Sequence, residues 1–143
     1  VIVVRLNDIK VSDNFKLHEF ECSDTNEVIV VKELVENLEK LRSLLNEFID
    51  SEDEVPLIIN RGYSTWEKHV SIYKGIYKSA WKSKITTDSL HLKGKAVDLK
   101  RPQGIDIDTF AMLAEEAGFD GIGTYNWGIH VDVRGFPARW DSR

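Results

Sequence analysis

Ten consecutive residues, Ser89-Leu90-His91-Leu92-Lys93-Gly94-Lys95-Ala96-Val97-Asp98, carry two side chains of the kind that bind metal ions, His91 and Asp98. A second segment, Gly128-Ile129-His130-Val131-Asp132, adds another imidazole and another carboxylate. Two imidazoles and one carboxylate, with a fourth position left open, are the donor set expected of catalytic zinc. A structural zinc site would need four protein ligands, commonly thiolates, and Cys22 is the only cysteine. The expectation is therefore one zinc ion on His91, Asp98 and His130. Such an ion polarises a scissile carbonyl and brings the pKa of a bound water down toward about 7. No His-Glu-x-x-His pair occurs, so thermolysin-type chemistry is not indicated. Spacing alone leaves a plainer alternative, with His91 a loop residue and His130 a satisfied strand histidine.

Positioning these groups is a task for strands. Side chains alternate faces along a strand. Over Lys95 to Lys100, Val97 and Leu99 take one face and Ala96 and Asp98 the other. Over Ile129 to Val133, the three apolar residues share a face and leave His130, Asp132 and Arg134 on the opposite one. If the two strands share a sheet, Asp98 and His130 project from the same side, and Gly94 permits the turn that folds His91 back toward them. Asp132, on the polar face beside His130, is a candidate proton acceptor for hydrolysis. Its alternative is to orient His130 or to pair with Arg134.

The remaining elements read as scaffold. Val1 to Val4 is β-like, and Phe15, Leu17 and Phe20 are apolar anchors of a lead-in segment in which His18 is structural or exposed. From about Glu27 to Asp50, apolar residues recur at helical steps, with Thr25 or Asn26 as the cap. Pro56 to Asn60 is a short buried strand. Ser64 with Glu67 forms a capping-box pair for a second helix. On that helix Trp66, Val70, Tyr73 and Tyr77 form a stripe read as core, with a cleft wall as the alternative, and His69 lies off the stripe and exposed. Trp81 to Asp88 is a connector. A third helix starts at Asp106 or Asp108 and stops near Gly118. The fold class expected is α+β, a single domain over residues 1–143, with a small antiparallel sheet carrying the zinc site and packed with about three helices.

Composition narrows the function classes. A chain of 143 residues with 42% hydrophobic and 30% charged residues can bury a real core. A net charge of -5, with Lys and Arg scattered, argues against a nucleic-acid partner. The loose run Lys74, Lys78, Lys82, Lys84 reads as a solvated helix face. No apolar run approaches the roughly 18 residues of a transmembrane segment.

Ser89 to Asp98 fits S-x-H-x-x-G-x-A-x-D at every fixed position, and His130-Val131-Asp132 fits the H-x-D that follows it. On these residues the chain resembles the zinc D-Ala-D-Ala carboxypeptidase family of peptidoglycan metallopeptidases, which also includes L-Ala-D-Glu endopeptidases from phage and bacteria. The likeness extends to Glu19-Phe20-Glu21-Cys22-Ser23-Asp24, to Ile59 to Ser64, and to the closing Val131 to Trp140. It implies His91, Asp98 and His130 as zinc ligands and peptidoglycan peptides as the partner. It also implies cleavage of amide bonds next to D-amino acids, in an extracellular, periplasmic or phage-associated setting.

Two departures from the family pattern stand out. Such enzymes often bind a substrate carboxylate with an Arg in S-G-Y-R-S, whereas this chain reads Arg61-Gly62-Tyr63-Ser64-Thr65, with its Arg three positions early. The substrate-binding residues expected are Arg61, Tyr63 and Ser89. Many relatives also place Glu or Asp three residues before the last zinc histidine, and here that position is Trp127, which cannot take a proton. The hedgehog signalling domain shares the zinc site of these peptidases yet binds receptors. A zinc-stabilised wall-binding module with impaired catalysis is therefore the alternative, and a phage particle component using the domain for wall contact is a third reading.

Overall fold

Leu34, Leu38, Leu41 and Leu45 fall at three- and four-residue steps and form the buried face of helix α1 (Lys32–Ile49) in the computed structural model, which describes all 143 residues, Val1–Arg143. The helix begins five residues later than its periodicity suggests, because Val28-Ile29-Val30-Val31 is a run of β-branched residues that favours extended backbone. The Val31 N–H donates instead to the Gly94 carbonyl at 3.0 Å, tying the entry of α1 to the turn that follows His91. Thr25 caps no helix, since its hydroxyl accepts the Glu27 N–H at 3.2 Å. Val1 to Val4 join no strand and are exposed.

The second helix, α2 (Trp66–Tyr77), is capped by Thr65, whose side chain accepts the Lys68 N–H, and not by Ser64. The expected core stripe is a correction: Trp66 and Tyr77 are exposed and the one buried residue of α2 is His69. The rings run Trp66, His69, Tyr73, Tyr77, at centroid spacings of 5.6, 4.8 and 5.5 Å. Part of the expected connector is helical, as the short α3 (Trp81–Lys84). Helix α4 (Ile107–Glu116) begins where Asp106 accepts the Thr109 N–H at 2.7 Å and ends just before Gly118 at φ 101°.

Five strands build the sheet: β1 (Ile59–Arg61), β2 (Ala96–Lys100), β3 (Gly121–Thr124), β4 (Gly128–Asp132) and β5 (Ala138–Asp141), in the order β1-β2-β4-β3-β5. All neighbours are antiparallel except β3 and β5, which are parallel, so the α+β fold carries a mixed, mostly antiparallel sheet. Val97, Leu99, Ile122, Ile129 and Val131 join the α1 leucines and Phe110 and Ala114 of α4 in one cluster of 19 buried residues. That cluster occupies one face of β2 and β4. The opposite face carries the polar side chains.

Candidate metal centre

In the β2–β4 register Asp98 stands directly opposite His130. The same alternation that sends Val97 and Val131 into the core turns these two side chains together to the other face. His91 reaches them from a 3-10 turn, Leu90–Lys93, which ends at Gly94 with φ 68°. That left-handed conformation suits glycine, and a methyl group there would also overlap the Ile29 backbone. His91 Nε2 lies 3.3 Å and His130 Nδ1 lies 3.1 Å from the same Asp98 oxygen, Oδ1. The two rings meet edge to face at 5.2 Å.

The outer nitrogens settle what faces inward. His91 Nδ1 donates to the Gly62 carbonyl at 2.9 Å, so in the neutral ring Nε2 carries a lone pair. His130 Nε2 donates to Asp132 Oδ2 at 2.8 Å, which leaves Nδ1 as that ring's bare nitrogen. Two nitrogen lone pairs therefore converge on a carboxylate oxygen, an arrangement that repels unless a cation sits among them. The donor spacing also fits. Ligand atoms held tetrahedrally about 2.0–2.1 Å from an ion stand roughly 3.3–3.4 Å apart, and all three donors here lie within 4.8 Å of one another. His91, Asp98 and His130 could hold one metal ion.

A proton is the competing cation. Burial opposes charge on His130, but hydrogen bonds to Asp132 and Asp98 outweigh it and raise its pKa above the usual value. Burial lowers that of His91 despite the nearby Asp98. Asp98 is itself buried, which opposes its charge, yet His91 and His130 hold its carboxyl well below the usual range.

Asp132 lies beneath His130 with no exposed surface. Its Oδ1 accepts from the Gly121 N–H at 3.1 Å, the Arg134 N–H at 3.2 Å and Arg134 Nε at 2.9 Å. Its Oδ2 accepts from Arg134 Nη2 at 2.7 Å as well as from His130. Burial works against ionisation, and the bonds from Arg134 and His130 override it, so the carboxyl titrates well below its usual range. The guanidinium of Arg134 lies over the Trp140 ring at 5.3 Å, and that ring sits 5.1 Å from His130.

Other expected site residues divide between two hollows. Ser89 lines a cleft of about 550 Å³ together with Tyr73, Asp88, His130, Arg134 and Trp140. Tyr63 and Arg61 line a separate hollow of about 820 Å³ that none of the three ligand side chains borders. His130 opens onto the smaller cleft. Arg61 nevertheless pairs with Asp98 across β1 and β2. Its Nε donates to the Ser64 hydroxyl at 3.0 Å and its Nη2 to His69 Nδ1 at 3.0 Å. Trp127 is 43% exposed and stacks on Tyr125 at 4.8 Å.

His69 is the residue that sequence reasoning misplaced: it is buried, not exposed, at 1% accessibility. Its Nε2 donates to the Thr86 carbonyl at 2.8 Å, so Nδ1 is the acceptor for Arg61. A signal existed, since Trp66, His69, Tyr73 and Tyr77 also follow helical steps of three and four. The apolar criterion chose Val70 in its place.

No curated protein matches the chain. A family profile described as Peptidase M15 matches residues 13–133, from the lead-in segment through the end of the metal-site strands. Since that match takes in both the Ser89 to Asp98 motif and His130, the chain belongs to the Peptidase M15 family.

Proposed function

We propose that the chain is a zinc-dependent peptidase that hydrolyses peptidoglycan stem peptides or cross-links at bonds next to D-amino acids. The observation that carries this reading is the convergence of two bare imidazole nitrogens and one carboxylate beside an open cleft. His91, Asp98 and His130 would hold the ion, which supplies Lewis-acid polarisation of a carbonyl and acidification of water. The wall polymer sets the place of work as extracellular, periplasmic or phage-associated.

The chain's own groups supply orientation. Of the two roles open to Asp132, support of His130 is favoured over proton acceptance, because both oxygens are saturated by donors and shut off from the cleft. A carboxylate behind a metal-binding histidine fixes its tautomer and raises its basicity. Arg61 is the proposed anchor for a substrate carboxylate. Its guanidinium forms no ion pair and rests on Ser64, the position at which the family pattern carries its arginine. An arginine starting three residues earlier thus brings its charge to the same neighbourhood. Ser89 and Tyr63 are proposed as lining residues for the bound peptide.

Trp127 favours a second reading, a wall-binding module with impaired catalysis, because an exposed indole occupies the position where relatives carry an acid. One experiment separates the two. Purified sacculi are incubated with the protein, with and without a zinc chelator, and released fragments are identified by mass spectrometry. Chelator-sensitive release is expected, and the new termini name the bond. Wall binding with one zinc per chain and no release from several wall types would overturn the enzyme reading.

A further inference from the structure

We propose that His69 is a positioning residue for substrate recognition, holding the Arg61 guanidinium in place through its Nδ1. This rests on the reading of Arg61 as the carboxylate anchor. The geometry is specific. Arg61 has five N–H donors and no acceptor capacity, and its two side-chain hydrogen bonds go to neutral atoms, the Ser64 hydroxyl and His69 Nδ1. A guanidinium held only by neutral acceptors keeps its net charge and its remaining donors for an incoming anion.

His69 suits that task because each nitrogen has one partner and one role. Nε2–H is committed to the Thr86 carbonyl, which forces Nδ1 to be a bare acceptor. The ring is wedged between Trp66 at 5.6 Å and Tyr73 at 4.8 Å, so it cannot swing away. Thr86 and Tyr73 line the cleft beside Ser89 and His130. One buried imidazole therefore joins the end of β1, the face of α2 and the segment leading into the metal motif.

Two substitutions separate the two bonds. His69→Asn puts an amide oxygen near the place of Nδ1 and gives up Thr86. His69→Gln puts an amide N–H near the place of Nε2 and gives up Arg61. The probe is N-acetyl-D-alanine, with its C-terminal amide as the control, titrated by NMR into the zinc-loaded full chain. Arg61→Ala is expected to weaken carboxylate binding by about tenfold or more and to erase the preference over the amide. His69→Gln should reproduce that loss, His69→Asn should keep most of the binding, and Arg61→Ala combined with His69→Gln should be no worse than Arg61→Ala alone. Zinc content should stay at one per chain throughout.

Equal binding by His69→Gln and wild type, with Arg61→Ala impaired, would overturn the role of His69 and leave Arg61 as the anchor. An unimpaired Arg61→Ala would overturn the anchor and the positioning role with it. Nitrogen NMR of the wild type needs no variant: a proton on Nδ1 of His69, with Nε2 bare, would also overturn the proposal.

Discussion

His130 has a carboxylate beside each ring nitrogen, Asp98 at Nδ1 and Asp132 at Nε2. Removing the outer one should therefore act through the imidazole and not through the ligand count. Asp132→Asn is expected to retain a site for zinc but to weaken its binding about 10–100-fold, measured by competition with a chelator. It also strands Arg134, which is only a quarter exposed, and should cost about 3 kcal/mol of stability in a denaturant titration. Asp98→Ala should abolish stoichiometric zinc altogether, since it deletes the oxygen on which both nitrogens converge. His69 carries a different prediction. Burial lowers its pKa from 6.5, the Thr86 carbonyl opposes that, and Arg61 and His91 reinforce it. The unfolded chain then binds the extra proton first on acidification, so this residue's contribution to stability is full above pH 6.5 and fades below it. The stability gap between wild type and His69→Asn should accordingly shrink between pH 7.5 and pH 5, by denaturant titration at each pH. A gap that widened would mean that His69 is held charged.

At the scale of elements, the two strands that carry ligands were readable because each alternates apolar and polar residues, and their pairing sets Asp98 against His130. Strand β1 overlaps the strand expected over Pro56 to Asn60, but β3 and β5 were not foreseen. Strand β3 alternates Gly121, Ile122, Gly123 and Thr124, so glycine stands where polar residues would have announced a strand face. The physical reason lies across the sheet. Gly121 faces Asp132 in the register, and its missing side chain is the space the Asp132 carboxylate occupies. Strand β5 was hidden for another reason: it has only four residues, none of them fully buried, and joins β3 in parallel only after the chain has passed through β4. Gly121→Ala should thus cost about 1–3 kcal/mol by overpacking, and should weaken zinc binding with no change in any ligand. Thermal melts and chelator competition on one preparation test this. Loss of stability with unaltered zinc affinity would mean that the Asp132 carboxylate relocates without disturbing His130.

Across the whole molecule, the core and the metal centre lie on opposite faces of the same sheet, and this division was only half visible in the sequence. The leucines of α1 and the valines of β2 and β4 announced the core through periodicity. Contacts that bridge distant segments, such as His91 to Gly62 and His69 to Arg61, leave no periodic trace, because each depends on where loops return in space. The same division decides what metal removal does. Nineteen buried apolar residues cluster without help from the ligands, so the metal-free chain should remain folded at 25 °C, unlike small domains that fold only around their zinc. The ion should still stabilise, because its three ligands come from the 3-10 turn before β2, from β2 and from β4, and the unfolded chain holds them together poorly. At free zinc about 1,000 times the Kd, linkage contributes about 4 kcal/mol. For a domain of this size that is a rise in Tm of roughly 10–15 °C. Calorimetric scans with zinc and with excess chelator should therefore both show one cooperative transition, displaced by about that amount. A chelated protein with no transition would make the metal part of the core's own stability, and the two faces of the sheet could no longer be treated as separate.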